Sequence, residues 1–387
     1  MGWYVPFSKL SQTQVSVIND IIRGVDMHNY FISGAAGSGK SVILTHVLER
    51  IVADNPGLRF VFLSYTHALV GMAQNALINS GLDHATSSVI HFQTVHKFIY
   101  GRETADFVFI DEAQDLQAEW MDKIKSKAGH VILSGDFDQS IYDDRADYGE
   151  MVQRFAPKTH KLMEMFRMTP SLKMVAMAID PAAKEIVEAD PVNAADADIR
   201  DVSFDSVEEE AEWVVAEATM RARPGRPSAL LFHHHRDLQL FYEAFFRAHN
   251  VPLPTEYPRD LNERYINMNN AIKMENVPLS YYGNRVGTLN HGELGPHVYL
   301  MTMHSAKGLD FKNVFLPCLN RTPRTNNTEV ETFRRRVSFV GVTRTFENLF
   351  LSHLNGDMEA PFDNLPSKFV TRVAPIQSSA TDDELFF

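Results

Sequence analysis

Residues 34–41 read Gly-Ala-Ala-Gly-Ser-Gly-Lys-Ser, a complete G-x-x-x-x-G-K-S. Glycines at such a turn let backbone N–H groups curl around phosphate oxygens, and a helix that begins there adds a favourable potential for an anion. In that frame Gly34, Ala35, Ala36, Gly37, Ser38 and Gly39 form the cradle, Lys40 reaches the β- and γ-phosphates, and Ser41 holds Mg²⁺ through its hydroxyl. The bland alternative is a glycine-rich turn ahead of an ordinary helix. The context weakens it, because an apolar strand run precedes the loop and helical spacing follows it.

Residues 107–115 read Phe-Val-Phe-Ile-Asp-Glu-Ala-Gln-Asp. An apolar strand here delivers two carboxylates at its carboxyl end, where α/β sheets bind ligands. Asp111 is placed to hold Mg²⁺ directly or through water, and Glu112 is the candidate general base for an attacking water. The two motifs together point to hydrolysis of a nucleoside triphosphate rather than to binding alone. A third cluster, residues 132–142, reads Ile-Leu-Ser-Gly-Asp-Phe-Asp-Gln-Ser-Ile-Tyr. The amide of Gln139 in this run could bond a γ-phosphate or its water and so sense which nucleotide is bound.

Positioning these groups requires a sheet with helices between its strands. Strands are expected at 30–33, 59–64, 107–111 and 130–134, with a helix at 41–53 in which Val42, Leu44, Val47, Leu48 and Ile51 fall near helical spacing. A second α/β series starts near residue 165, with strands at 229–233, 298–303, 314–317 and 348–352 and helices at 206–222, 237–249 and 330–342. The expected division is 1–164 and 165–387, and the proline- and asparagine-rich stretch 252–296 reads as an irregular excursion from the second part. The stretch 80–88 can supply a turn, and residues 366–387 read as a surface extension with a polar, acidic end at 378–384.

The chain has 387 residues, 44% of them hydrophobic, enough for two sizeable cores. Its single cysteine, Cys318, excludes an internal disulfide framework and a cysteine-based zinc cluster. No signal-peptide pattern and no apolar run of membrane-spanning length is present, so a soluble cytoplasmic protein with no membrane partner is expected. A net charge of −12 argues against a broadly basic surface that coats DNA. It leaves open a motor whose nucleic-acid contacts lie in one groove and use hydroxyls, amides and aromatic rings. His233, His234 and His235 alternate in direction on an extended strand and do not converge on one ion.

The motifs in series resemble the UvrD/Rep/PcrA-like branch of superfamily 1 helicases, in family order from residue 10 to residue 344. Gln14 resembles the adenine-reading glutamine. Residues 34–41 resemble motif I, 111–115 the DEAQD of motif II, and 135–142 the family's GDxxQSIY. Met301 to Phe311, MTMHSAKGLDF, is close to motif V, and Phe339-Val-Gly-Val-Thr-Arg344 matches motif VI. The resemblance implies two tandem RecA-like P-loop NTPase domains with mostly parallel sheets, ATP between them and one nucleic-acid strand across them. It implies that Arg167 and Arg344 are arginine fingers from the second domain and that Asp310 contacts the nucleotide. It also implies that Ser64, Thr66, Thr94, His96, Thr302 and His304 touch the strand or couple it to ATP, with Tyr142 as a stacking ring. The wording of motif V points to 3′-to-5′ movement.

Departures from the family pattern bear on what the motor does. The interval between His96 and Asp111 is too short for the usual helical insertion, and residues 252–296 are too short for the usual second one. Asp144 stands where relatives place an aromatic residue, and His67-Ala68 stands where Asn-Lys is common. The expectation is therefore a near-minimal core that uses ATP and Mg²⁺ to translocate on or unwind a single-stranded nucleic acid, DNA rather than RNA. A protein partner would supply wedge, nuclease or regulation. The alternative is a nucleic-acid- or partner-gated ATPase subunit of a multi-protein system, such as a nuclease or defence system, without unwinding of its own.

Overall fold

A computed structural model of the chain describes residues 4–81, 89–141, 144–253, 257–283, 285–320, 327–356 and 358–374. It divides into two compact units. The first comprises the described residues up to Arg167 together with Ala182–Asn193; the second comprises Met168–Pro181 and the residues from Ala194 onward. Arg167 thus lies in the first unit, and the chain passes between units more than once.

The first unit is built on six parallel strands, β1 Tyr30–Gly34, β2 Phe60–Ser64, β3 Ile90–Thr94, β4 Ala105–Ile110, β5 Ala128–Gly135 and β6 Lys158–Leu162, in the order β3-β2-β4-β5-β1-β6. Side chains alternate between the two faces of a strand, so a sheet covered on both faces reads as a continuous apolar run. Tyr30, Ile32, Phe60, Phe62, Phe107 and Phe109 pack on one face with Ile43, Leu44, Val47 and Leu48 of the helix Lys40–Asp54. Phe31, Val61, Leu63, Val108 and Ile110 pack on the other face with Phe98, Met121 and Met151. Each such burial contributes about 1.5–3 kcal/mol. A short pair, β7 Glu164–Met165 and β8 Asp190–Pro191, lies outside this sheet.

The second unit carries seven parallel strands. They are β9 Asp198–Phe204, β10 Ser228–Phe232, β11 Leu279–Tyr281, β12 Val298–Thr302, β13 Phe311–Leu316, β14 Thr345–Leu354 and β15 Thr371–Val373, in the order β11-β12-β10-β13-β14-β9-β15. The helices Val207–Arg221 and His235–Ala248 cover one face through Val214, Val215, Phe241 and Phe245, which pack on Leu230, Phe232, Leu300 and Phe350. The buried Glu210 carboxylate accepts from Cys318 N at 2.8 Å and Ser352 Oγ at 2.6 Å, tying the first helix to the ends of β13 and β14.

The stretch expected as irregular is largely ordered. The helix Leu261–Met274 is capped by Asp260, which accepts from Glu263 N, and β11 follows it. Asn269 bonds both the N–H and the C=O of Tyr281 and so satisfies the sheet edge that β11 would otherwise expose. Tyr265 stacks on Tyr281 with ring centroids 3.7 Å apart. Within the expected surface extension, β15 pairs with β9. Residues 378–384 and most of the turn expected at 80–88 lie outside the described residues.

Candidate active site

The loop after β1 turns through two glycines with positive φ, Gly37 at 76° and Gly39 at 88°, and Gly39 caps the helix Lys40–Asp54. A side chain at either position would be strained in this region. Lys40 Nζ donates to Gly34 O at 2.7 Å and Ala35 O at 3.1 Å, which keeps the ammonium inside the loop. Ala35, Ala36 and Ser38 are buried.

Strand order explains how the acidic motif reaches this loop. β5 lies between β4 and β1, so the carboxyl ends of the three strands adjoin. Asp111, just past β4, receives two hydroxyls: Ser41 Oγ donates to Oδ2 at 2.8 Å and Ser134 Oγ to Oδ1 at 2.5 Å. Burial, reinforced by the neighbouring Glu112 charge, pushes the Asp111 carboxyl up to about 6. Glu112 takes a left-handed conformation, φ 58°, and accepts from Gln114 Nε2. Gln114, fully buried, also accepts from Asp136 N at 3.1 Å through Oε1, and Gln139 Nε2 donates to Asp136 Oδ2 at 2.6 Å. A continuous chain of bonds therefore joins Glu112 to the loop that holds Gln139. Ser134 does not stand out in the sequence, because its role arises from strand adjacency; Gln114 lies within the DEAQD run, but its bond to Asp136 arises from that adjacency.

Gln14 completes a capping box with Ser11 and donates through Nε2 to Ser38 O at 3.4 Å, so its amide rests on the glycine loop. Phe166 N donates to Gly37 O at 3.0 Å, and a methyl group on Gly37 would lie 2.7 Å from Arg167 Cβ. Arg167 therefore reaches the loop from within the first unit. In the second unit the buried Arg344 guanidinium donates to Val340 O at 3.1 Å and Leu309 O at 3.4 Å. Asp310, next to Leu309, is half-buried. Thr302 Oγ1 donates to Ser305 Oγ at 3.0 Å, and His304 packs against Phe333 with ring centroids 5.8 Å apart. Burial, then the charges of His233, His234, Lys307 and His235, hold His304 down at about 4. His233 pairs with Glu359 and Ser338, whereas His235 bonds Tyr265.

At the carboxyl ends of β2 and β3, Thr66 and Thr94 cap helices, accepting from Leu69 N at 3.3 Å and Lys97 N at 3.4 Å. Ser64 is fully buried. Tyr142 lies outside the described residues. The rings assembled nearby are different ones: Tyr65 stacks on Trp120 with centroids 6.3 Å apart, and His96 approaches both Trp120 and Tyr100. Arg145 lies 5.0 Å over Tyr65 and 5.2 Å over Trp120 and donates to Tyr65 Oη at 3.0 Å. Trp120 escaped the sequence reading; a lone tryptophan just after the acidic motif is the signal that points to it.

Comparison with known proteins places this arrangement. Residues 27–225 match the model of the Schlafen group 3, DNA/RNA helicase domain, and residues 274–356 match that of the UvrD-like helicase C-terminal domain. The chain is similar to the ATP-dependent DNA helicase PcrA of Staphylococcus aureus (strain Mu50 / ATCC 700699), 32% identical over 98 residues, which are 23% of this chain and 13% of PcrA. It is 42% identical over 65 residues to the ATP-dependent DNA helicase Rep of Buchnera aphidicola subsp. Baizongia pistaciae, 15% of this chain and 9% of Rep. The arterivirus nonstructural protein 10 (helicase) structure aligns with 91% of this chain and 64% of its own, with 16% identity and a TM-score of 0.46. The matched stretches span less than two thirds of each of these relatives. Among the described residues no helix is long and apolar enough to cross a membrane. The first of these matches covers just over half of the chain and the second falls on motifs V and VI, so the chain belongs to the Schlafen group 3 DNA/RNA helicase domain family and has the UvrD/Rep/PcrA-like superfamily 1 helicase fold.

Proposed function

We propose that this chain is an ATP-driven motor on single-stranded nucleic acid, DNA in preference to RNA, moving 3′ to 5′ in the cytoplasm. The observation that carries the reading is the 2.8 Å contact between Ser41 Oγ and Asp111 Oδ2 beside the glycine loop. A hydroxyl and a carboxylate at this separation, with a second carboxylate on the next residue, form an oxygen donor set suited to Mg²⁺. Ser41 and Asp111 would hold that ion, and residues 34–41 the phosphates of ATP, with Gln14 at the adenine and Asp310 at the nucleotide. When bound, the ion would supply positive charge against the phosphoryl oxygens.

In this reading Glu112 takes a proton from the attacking water at its carboxylate, and Gln114, donating through Nε2 to Glu112 Oε2, fixes the orientation of that carboxylate. Lys40, Arg167 and Arg344 offset charge that develops on the phosphoryl group. Gln139 senses the γ-phosphate, and its bonds through Asp136 and Gln114 would pass that state to Glu112. The strand would run over Tyr65, Trp120 and Arg145, whose rings and guanidinium offer stacking without base preference. Thr66, Thr94, His96, Tyr142, Thr302 and His304 are further proposed contacts, with Ser64 acting through its neighbours. The relatives' names, DNA helicases in both bacteria, favour DNA.

The test is ATP turnover with and without single-stranded DNA, then with single-stranded RNA of the same sequence. Strong stimulation by DNA and weaker stimulation by RNA are expected. Turnover indifferent to both would overturn the motor and favour the partner-gated ATPase.

A further inference from the structure

The segment Ala182–Asn193 leaves the second unit, docks on the first and departs again. Its attachments are specific. Ser33, the residue before the glycine loop, donates through Oγ to Glu185 Oε1 at 2.5 Å across 152 positions of sequence. Glu185 N donates to Asp138 Oδ2 at 2.6 Å, in the loop that also holds Gln139. Lys161 on β6 pairs with Glu188 and lies 3.8 Å from Glu185 Oε2. Further along, Asp190 N donates to Met163 O at 2.7 Å and Val192 N to Met165 O at 2.9 Å, which zips β8 onto β7. The end of β7 is the point at which Phe166 N bonds Gly37 O and Arg167 meets the loop.

We infer that Ala182–Asn193 is a clasp that holds Arg167 against the glycine loop, with Glu185 as its positioning residue. The physical argument is one of over-determination. β7 is two residues long and pairs with no strand of the main sheet, so its own ladder cannot fix the orientation of Arg167. The bonds of β8 to β7 set the direction of that strand. Glu185 fixes the other end of the clasp to Ser33 at the root of the glycine loop, so clasp, loop and Arg167 form a closed ring of contacts. The half-buried Glu185 carboxylate accepts the Ser33 hydroxyl bond and loses that anchor when truncated, and the segment then gains freedom relative to the loop. Misplacement of a charge-stabilising group by about 1 Å costs roughly a hundredfold in rate. The inference rests on the proposed role of Arg167 and of residues 34–41 in ATP hydrolysis.

The experiment compares the full chain with Glu185→Ala, Glu185→Gln, Arg167→Ala and the Arg167→Ala/Glu185→Ala double variant, with Lys40→Ala as control. Wild-type turnover abolished by Lys40→Ala establishes the underlying reading independently of the clasp. Glu185→Ala should then lower kcat by roughly ten- to a hundredfold while the affinity for ADP stays the same. Glu185→Gln keeps an acceptor for Ser33 and should restore most of the rate. In the Arg167→Ala background the Glu185 change should add no further loss. Hydrogen exchange at the Phe166 and Val192 amides, read without reference to activity, should accelerate in Glu185→Ala. An additive double variant, or unchanged kcat and exchange in Glu185→Ala, would overturn the clasp. Should Glu185→Ala fail to fold, Ser33→Ala deletes the same bond from its other end and is held to the same outcomes.

Discussion

Ser41 Oγ and Asp111 Oδ2 lie 2.8 Å apart although 70 positions separate them in sequence. The contact brings a hydroxyl at a helix start to a carboxylate at a strand end. Desolvation dominates the environment of that carboxylate, and the charge of Glu112 adds to it; the bonds from Ser134 and Ser41 and the charge of Lys40 oppose both. The result, a carboxyl raised to about 6 from an ordinary 3.8, means that the folded chain ionises Asp111 at a cost.

The sign of that cost gives the first prediction. The raised value favours the folded state at pH below the ordinary carboxylate range, and the advantage is lost as pH rises through about 6. Asp111→Asn removes the penalty, so without Mg²⁺ or nucleotide the variant should be more stable than wild type at neutral pH, on the order of 2 kcal/mol. The gap should close as pH falls towards about 4. Urea unfolding with a chelator present, across this range, measures it. Adding Mg²⁺ with ADP should then stabilise wild type and leave the variant nearly unmoved. A variant less stable than wild type at neutral pH would mean that the buried carboxylate is already compensated.

Glu112 and Lys40 give the second prediction, in which chemistry and binding separate. Glu112→Gln keeps the shape of the side chain and an acceptor for Gln114 but cannot take up a proton. Turnover should fall at least about a hundredfold, while ATP affinity, read by equilibrium titration, stays near wild type. Lys40→Ala also abolishes turnover but weakens binding, because the ammonium that lies in the loop is gone. Near-wild-type turnover in both variants would remove the assignment.

Much of this site is legible in the sequence because its chemistry is contiguous. The glycine loop, the acidic pair and Gln139 each sit in a short run bounded by an apolar strand, so β1, β4 and β5 read directly from those runs, and β2 reads from its own apolar run. Other parts are not legible, for particular reasons. β6, Lys-Thr-His-Lys-Leu, is an edge strand with outward polar residues and resembles a loop. The helix Leu261–Met274 carries four asparagines and only three buried residues, so its periodicity is faint, although Asp260 with Glu263 marks its start. The bonds of Ser134 to Asp111, of Gln114 to Asp136 and of Glu185 to Ser33 come from which strands adjoin and from where a distant segment returns. Neither is encoded in local spacing. Trp120 becomes meaningful only once the ends of β2 and β4 are seen to bring it beside Tyr65.

That pair carries the third prediction. Stacking of a base on an aromatic ring is worth about 1–3 kcal/mol by alanine substitution, so Trp120→Ala should weaken binding to a labelled single-stranded oligonucleotide by about tenfold or more. Trp120→Phe, which keeps a ring beneath Arg145, should recover part of the loss. Unchanged affinity in Trp120→Ala, in a variant that still unfolds cooperatively at the wild-type temperature, would move the strand off this edge.

The last prediction concerns pH. With His304 held down at about 4 by burial and by His233, His234, Lys307 and His235, its imidazole is neutral through the physiological range. A neutral hydrogen bond to a phosphate is worth about 0.5–1.5 kcal/mol, against about 1.5–3 for a charged one. His304→Ala should therefore weaken oligonucleotide binding only a few-fold, and by the same factor at about pH 6 as at about pH 8. The salt dependence of binding should not change, because no counterion is exchanged at a neutral contact. A loss that deepens on acidification, together with a shallower salt slope in the variant, would show that phosphate binding draws a proton onto His304 despite its burial.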